Sequence, residues 1–462
     1  MRSTTPVRRI GRRRSGSIVL GSIAAASVLL LTACSGAASG PAAAGAGEPG
    51  AAPGKDDKLT LTVYSKFTAR EYDVVTKGLN NLKVKFPNIE IKHEGNQDDD
   101  KLTQSIRGGN PPDVAISFYT DNLGAWCSNG SFQDLQPYID RDKIDVSVIP
   151  QAVRSYTEFQ GKRCAMPMLA DVYGFYYNKD MFAAAGITAP PKTTSELLEY
   201  TKKLTQFNPD GSIKVAGFMP SMPFYANQAQ IWAPNFGATW ISPDGKSNLA
   251  ASPEWKEMFN FQKELIDFYG HDKIEKFKSG LGDEYSPDHG FHRGKIAMEF
   301  DGEYRQAFLK DQSPELNFGT APPPVLDSKP DRYGGGFTTG TIIAIPKGSK
   351  NPGAAWELIK QMSLDTGTLV ELANGLKNVP STTESLTDPK LEVDDKFKTF
   401  LDMYSSGKLL PNPSTPIGDA YLKAVNDFAE RWQAGSEPNL EEGLKKVDAQ
   451  INDELAQKRA GG

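Results

Sequence analysis

The chain has 462 residues, with 52 lysines and arginines against 57 aspartates and glutamates, a formal charge of −5. An acidic balance argues against a nucleic-acid partner, whose phosphates need a basic footprint. The length exceeds one ordinary hydrophobic core, so two lobes are expected.

The charge is uneven along the chain. Arg2, Arg8, Arg9, Arg12, Arg13 and Arg14 precede a short apolar run, Ile18 to Leu31, which ends in Leu31-Thr32-Ala33-Cys34. This reads as a secretory signal over 1–33, because the run is too short for a membrane span and small residues follow it. Cys34 in that setting resembles the lipidated cysteine of a bacterial lipobox, which implies cleavage before it and a lipid anchor; Arg12-Arg13 leaves both Sec and twin-arginine export open. Without 1–33, 46 basic residues face 57 acidic ones, a charge of −11. Residues 34–57 are Gly, Ala, Pro and Ser with little to bury, a flexible tether. No later stretch is long and apolar enough to cross a bilayer. Cys127 and Cys164 remain, and an even pair in an exported chain favours a disulfide over two free buried thiols.

Residues 58–66 alternate Leu59, Leu61 and Val63 with polar partners, as a strand does. Tyr72, Val75, Leu79, Leu82 and Phe86 follow at helical spacing up to Pro87. Ile89 to His93 is a second strand, Lys101 to Arg107 a short helix, and Asp113 to Ser117 a third strand. This order predicts a parallel sheet with helices on its faces. Within 170–187, Asp171, Tyr173, Phe175 and Tyr177 form one face of a strand that begins with a carboxylate and continues with rings, so core strand and cleft wall both stay open. Lys295 to Phe300 and Thr341 to Ile345 read as strands and Ala354 to Met362 as an amphipathic helix. Pro-Asp-Gly turns are expected in 207–213 and 241–247. The stretch 417–458 is mostly helical, and 456–462 is expected as a flexible tail.

Motifs of catalysis are sparse. His289-Gly-Phe-His292 lacks the helical glutamate of a zinc protease and reads as a turn. Gly245-Lys246-Ser247 lacks the earlier glycine of a phosphate loop, and no nucleophile elbow occurs. Asp98-Asp99-Asp100 lacks the spacing of a calcium loop. No cofactor and no metal is expected. Carboxylates and amides do gather near aromatic residues at predicted strand ends. Carboxylates accept hydrogen bonds from sugar hydroxyls and rings cover the C–H face of a pyranose; in open α/β sheets ligands sit outside such strand ends.

Taken in order, Gly108-Gly109-Asn110-Pro111-Pro112-Asp113-Val114, Gly174-Phe175-Tyr176-Tyr177-Asn178-Lys179-Asp180-Met181-Phe182, Gly294-Lys295-Ile296-Ala297-Met298-Glu299-Phe300-Asp301-Gly302, Asn351-Pro352 with Trp356, and Val379-Pro380-Ser381 resemble the bacterial extracellular solute-binding proteins of carbohydrate ABC importers, the group that includes maltose-binding protein. The resemblance covers roughly 58–450. It implies the two-lobed periplasmic-binding-protein fold of type II, an α/β architecture in which each lobe is a mostly parallel sheet flanked by helices, with a hinge between lobes. Lobe one would be 58–168 and 338–365, and lobe two 169–337 and 366–455. It further implies a non-catalytic monomer that closes on a small-molecule carbohydrate and delivers it to ABC permease subunits at the outer face of the cell membrane.

The resemblance places sugar contacts at Asp171, with Tyr173 beside it, and at Asp301 and Tyr304. Ser117 and Asp121 fall on the loop after Pro-Asp-Val, Asp99 upstream of it, and Lys66 after the first strand. Tyr225, Asn227 and Trp232 belong to a variable aromatic segment; Gly335 and Gly336 to a returning loop; Tyr421 to the C-terminal helices. Asp171 could instead cap a helix or pair with a basic residue, and Trp232 and Tyr304 could be core. Maltose-binding protein has tryptophan where local matching gives Ser117 and Tyr304, which argues against maltose itself. A charged solute such as a polyamine or glycerophosphodiester in the same fold is the alternative, and a two-carboxylate surface glycosidase a more distant one.

Overall fold

The computed structural model describes residues 49–222 and 224–460. The expected signal, Cys34 and most of the expected tether lie outside the described residues. From Gly50 onward the tether segment sits on the folded body, because its backbone finds partners there. Gly50 N donates to Tyr138 OH at 3.1 Å and Arg141 Nη1 donates to Gly50 O at 2.6 Å.

The first three strands, β1 (Leu59–Tyr64), β2 (Ile89–Glu94) and β3 (Val114–Ser117), form as their alternation predicts. β1 lies between the other two and is parallel to both, with Leu61 and Val63 fully buried. Parallel neighbours need long crossovers, supplied here by helices Ala69–Asn80 and Asp99–Arg107. Asp98 caps the second, accepting from Lys101 N at 2.9 Å. The first tightens into a 3₁₀ turn, Asn81–Val84, before Pro87 stops it.

A two-stranded hairpin, β4 (Glu158–Phe159) with β5 (Lys162–Arg163), leads into β6 (Met166–Asn178), the longest strand at 13 residues. Later strands are β7 (Gln206–Phe207), β8 (Ile213–Phe218), β9 (Ile296–Gly302), β10 (Phe318–Ala321), β11 (Gly336–Ala344), β12 (Val379–Pro380) and β13 (Leu409–Leu410). The strand path runs β2-β1-β3-β11-β6-β9-β8-β7. β6 changes partners along its length. Residues 166–172 pair antiparallel with β11, and 173–177 pair antiparallel with β9. β12 joins its first half and β10 its second. The second half of the sheet is mixed, since only β8 and β9 run parallel there. Asn178 ends β6 by capping the next helix, accepting from Met181 N at 3.0 Å. Gly174 is required where the Phe400 ring crosses β6, because a Cβ there would overlap that ring.

The core gathers into two main clusters, one around β1, β3 and the start of β6, the other around Phe218, Trp232, Phe300 and the C-terminal helices. A smaller cluster lies beneath β8. The helix Thr366–Leu376 belongs to the first cluster, not with the second lobe as expected. Its Leu369 and Leu372 pack with Val75 and Leu79 of the first helix, and Glu371 accepts from Asn81 Nδ2 at 2.8 Å. Phe397, Phe400 and Leu409 follow it there. The expected tail at 456–462 is likewise helical through Ala460, because Leu455 is buried in the second cluster and Arg459 donates to Gly245 O at 2.7 Å.

Cys127 and Cys164 are joined in a disulfide, their Cα atoms 5.7 Å apart and 37 residues apart in sequence. It ties the helix Leu123–Ser128 to the entry of β6. Closing a loop of that length stabilises by about 3–4 kcal/mol through the unfolded chain. The double variant C127S/C164S is expected to lose that amount in urea unfolding, and reductant is expected to have no further effect on it.

Candidate functional site

A cavity of about 320 Å³ opens where β6 exchanges β11 for β9. Val172 is the last residue paired to β11 and Tyr173 the first paired to β9. Deeper-volume hollows of about 510–540 Å³ exist elsewhere, but they lie at the periphery among loop residues and lysines. The cavity at the strand switch instead combines eight aromatic side chains with four carboxylates, Glu71, Asp121, Asp171 and Glu284, and a single cation, Lys66.

Six of the expected residues meet on this cavity: Lys66, Asp121, Asp171, Tyr173, Tyr225 and Tyr304. Asp171 is 8 % exposed. Its Oδ1 accepts from Asn378 Nδ2, which also donates to Glu303 Oε1 at 3.2 Å. Glu303 Oε2 accepts from Val172 N at 2.6 Å, and Thr338 Oγ1 donates to Asp171 O at 2.8 Å. The strand switch is therefore held by side chains from three separate parts of the chain. Tyr173 and Tyr304 stand edge to face, ring centroids 6.4 Å apart, with hydroxyls 3.2 Å apart. Gly302 leaves the space that the Tyr304 ring fills. Lys66 donates to Tyr119 OH at 2.7 Å on the opposite wall.

The other expected residues lie away from the cavity surface. Ser117 and Asp99 are paired behind it: Ser117 Oγ donates to Asp99 Oδ2 at 3.1 Å and accepts from Tyr119 N at 3.0 Å. Asp301 is fully buried beneath it, where Arg305 Nε donates to its Oδ2 at 2.6 Å and Tyr225 OH donates at 2.8 Å. Trp232 is fully buried against Phe218 and Phe300, centroids 5.7 and 4.7 Å away, because an indole among rings is better satisfied in the core than in a wet cleft. Asn227 turns inward to donate to Met219 O. Tyr421 is core, its hydroxyl donating to Pro413 O at 3.1 Å and standing 3.4 Å from Asp121 Oδ1. Gly335 packs against Lys408 and Gly336 pairs with Leu409, so it is the neighbouring Phe337 that reaches the cavity.

The His289–His292 turn is buried, not exposed. His289 Nε2 stands 2.8 Å from Tyr225 OH, and His289, Glu299 and Asp301 bring ligand-type atoms within 4.8 Å of one another. Arg305 already neutralises Asp301 there.

The profile of the bacterial extracellular solute-binding proteins matches residues 79–399. The chain belongs to this family. Among curated solute-binding relatives, the maltotriose-binding protein of Pyrococcus abyssi is 25 % identical over 397 residues, 85 % of this chain and 81 % of its own. A maltooligosaccharide ABC transporter solute-binding lipoprotein of Streptococcus pneumoniae strain R6 is 25 % identical over 402 residues, 86 % and 87 % of the two chains. The solved structure of CpMnBP1 with mannotriose bound superposes with a TM-score of 0.77 at 26 % identity, covering 85 % of this chain and all of that one. Among the described residues no helix is long and apolar enough to cross a membrane.

The carboxylates of the cavity are shifted by their surroundings. Burial pushes Glu71 up to about 7 against the pull of Arg70, and Asp171 to about 7 with the Glu71 charge adding. Glu284 is raised to about 7 by burial and then by Asp301, and Asp121 to about 6 by burial. Behind them burial and the Asp171 charge hold Glu303 well above the carboxylate range.

Several cavity residues were not anticipated from the sequence. Glu71 stands three residues after Thr68, the spacing of a helix capping box. Yet Thr68 makes no side-chain cap bond, and Glu71 faces the cavity instead. Glu284 and Tyr285 sit in a turn-rich loop with no periodicity to mark a face, and Asn378 immediately precedes the Val379-Pro380-Ser381 landmark.

Two outcomes follow from this placement. Trp232→Ala is expected to cost about 3–5 kcal/mol in denaturant unfolding, as a large buried ring does. Glu71 gains a raised folded-state value, so its contribution to stability is full below its ordinary value and lost as pH rises through 7. Glu71→Gln is therefore expected to melt above the parent at pH 8 and with it at pH 4 in unliganded thermal scans.

Proposed function

We propose that this protein is the extracellular sugar-binding subunit of an ABC importer, anchored by lipid on Cys34, acting as a monomer and delivering a mono- or oligosaccharide to the membrane permease. The observation that carries this reading is the cavity at the β6 switch, where Tyr173, Tyr225, Tyr304 and Phe337 line the space beside Asp171 and Glu284. Rings cover the C–H faces of a sugar while carboxylates accept from its hydroxyls. What the P. abyssi and S. pneumoniae relatives are named for binding supports the same ligand class.

The two lobes in this reading are the two main core clusters, with residues 366–410 counted in the first. β6 and β11 pass between them and act as the hinge. Binding needs no catalysis: a ligand that touches both lobes stabilises the closed state over the open one by its differential affinity. Asp171 is the residue on which both lobes and the ligand converge.

Isothermal titration against neutral mono-, di- and trisaccharides, maltotriose and mannotriose included, tests the reading. At least one is expected to bind, and none to be hydrolysed. Asp171→Ala is then expected to weaken binding by about 1–3 kcal/mol, roughly 5- to 150-fold, by leaving ligand hydroxyls unpaired. Turnover of a bound glycoside would place the protein among enzymes instead.

A further inference from the structure

We propose that the saccharide taken by this cavity bears a free, protonated amine. The inference rests on the sugar-binding reading of the same site and narrows its ligand class.

The argument begins with charge. Glu71, Asp121, Asp171 and Glu284 line the cavity against Lys66 alone. Two of the three nearby cations are ion-paired outside the cavity, and Lys66 stays on its wall. Lys66 is on Tyr119, Arg70 is ion-paired to Asp311 at 2.7 Å, and Arg305 to Asp301 at 2.6 Å. Among the described residues none of the four carboxylates has an ion-pair partner. An unpaired carboxylate in a closing cleft is costly, and its cost is met by a proton or by a counter-charge.

Hydrogen bonding points the same way. Asp171 is 8 % exposed, and while Asn378 occupies Oδ1, no protein donor among the described residues reaches Oδ2. Glu284 Oε1 receives Tyr304 OH at a long 3.4 Å, and Asp121 Oδ1 receives Tyr421 OH at 3.4 Å. Four carboxylates present roughly sixteen acceptor positions, more than a disaccharide has hydroxyl hydrogens. An ammonium group adds three donors and a compensating positive charge at once. The ring faces of Tyr173, Tyr225 and Phe337 favour a cation as well as a sugar C–H face. A hydroxyl can satisfy an acceptor here, but it leaves the charge buried and uncompensated.

Lys66 marks a limit to this charge. Its position on Tyr119, with the ammonium 4.8 Å from the ring centroid, leaves one wall of the cavity positive. Lys66 lowers the excess of carboxylates from four to three, and an amine on the ligand lowers it further.

The test uses matched monosaccharides with the purified protein, so that linkage does not confound it. Glucosamine, galactosamine and mannosamine are each titrated beside the parent hexose and the N-acetylated form, with spermidine as a non-sugar cation. The amine of at least one set is expected to bind ten-fold or more tightly than both its neutral partners. Glu71→Gln with Glu284→Gln is expected to reduce that preference several-fold, while a variant that merely misfolds would lose neutral and amine ligands alike. Neutral members binding as well as the amine in every set would overturn the inference and leave the sugar reading standing, as would binding of neutral trisaccharides with no amine sugar bound. Spermidine binding with no saccharide bound would instead overturn the sugar reading itself.

Discussion

One continuous strand governs this molecule. β6 pairs with β11 within 166–172 and with β9 over 173–177, so the two halves of the sheet share a single run of main chain. A strand cannot slip by one residue without exchanging its faces. The positions of Asp171 on one side of the exchange and Tyr173 on the other are therefore as fixed as the sheets themselves. Asn378, Glu303 and Thr338 fasten the point of exchange from elements far apart in sequence.

The same geometry explains why the cavity collects carboxylates that a surface would scatter. Each is placed by something other than its own charge. Asp171 is set by strand register, Asp121 by the loop after β3, and Glu71 by the first turn of a helix whose threonine leaves it uncapped. Their raised proton affinities follow chiefly from burial, and beneath them Asp301 is ion-paired to Arg305. Asp171 lines the cavity, whereas Asp301 lies beneath it, tied to Arg305.

Much of the fold was legible because its signals are periodic. The alternation in 58–66 and the helical stripe from Tyr72 to Leu82 produce β1 and the first helix with their inward residues as read, and Leu61, Val63, Val75 and Leu79 are all core. The segment 170–187 shows the limit. Alternation could not tell cleft from core, and in the structure it is both: Phe175 and Tyr176 are fully buried, while Asp171 and Tyr173 line the cavity. Trp232 and Tyr421 misled because aromatic character is the same in a core as in a sugar site. Glu284 was invisible because its position depends on a loop gripped from another element, which no local pattern records. The placement of Thr366–Leu376 was likewise set by contact with a helix nearly 300 residues earlier.

That grip carries a consequence for how such a site can change. Arg305 Nη1 holds the loop through the carbonyl oxygen of Glu284, at 2.7 Å, and not through the Glu284 side chain. Main chain is common to all residues, and Gln312 Nε2 likewise holds the Tyr285 carbonyl oxygen at 3.0 Å, so these two contacts do not depend on the side chain at 284 or 285. A substitution at 284 therefore changes what this wall presents to the cavity while leaving the Arg305 contact to the loop available.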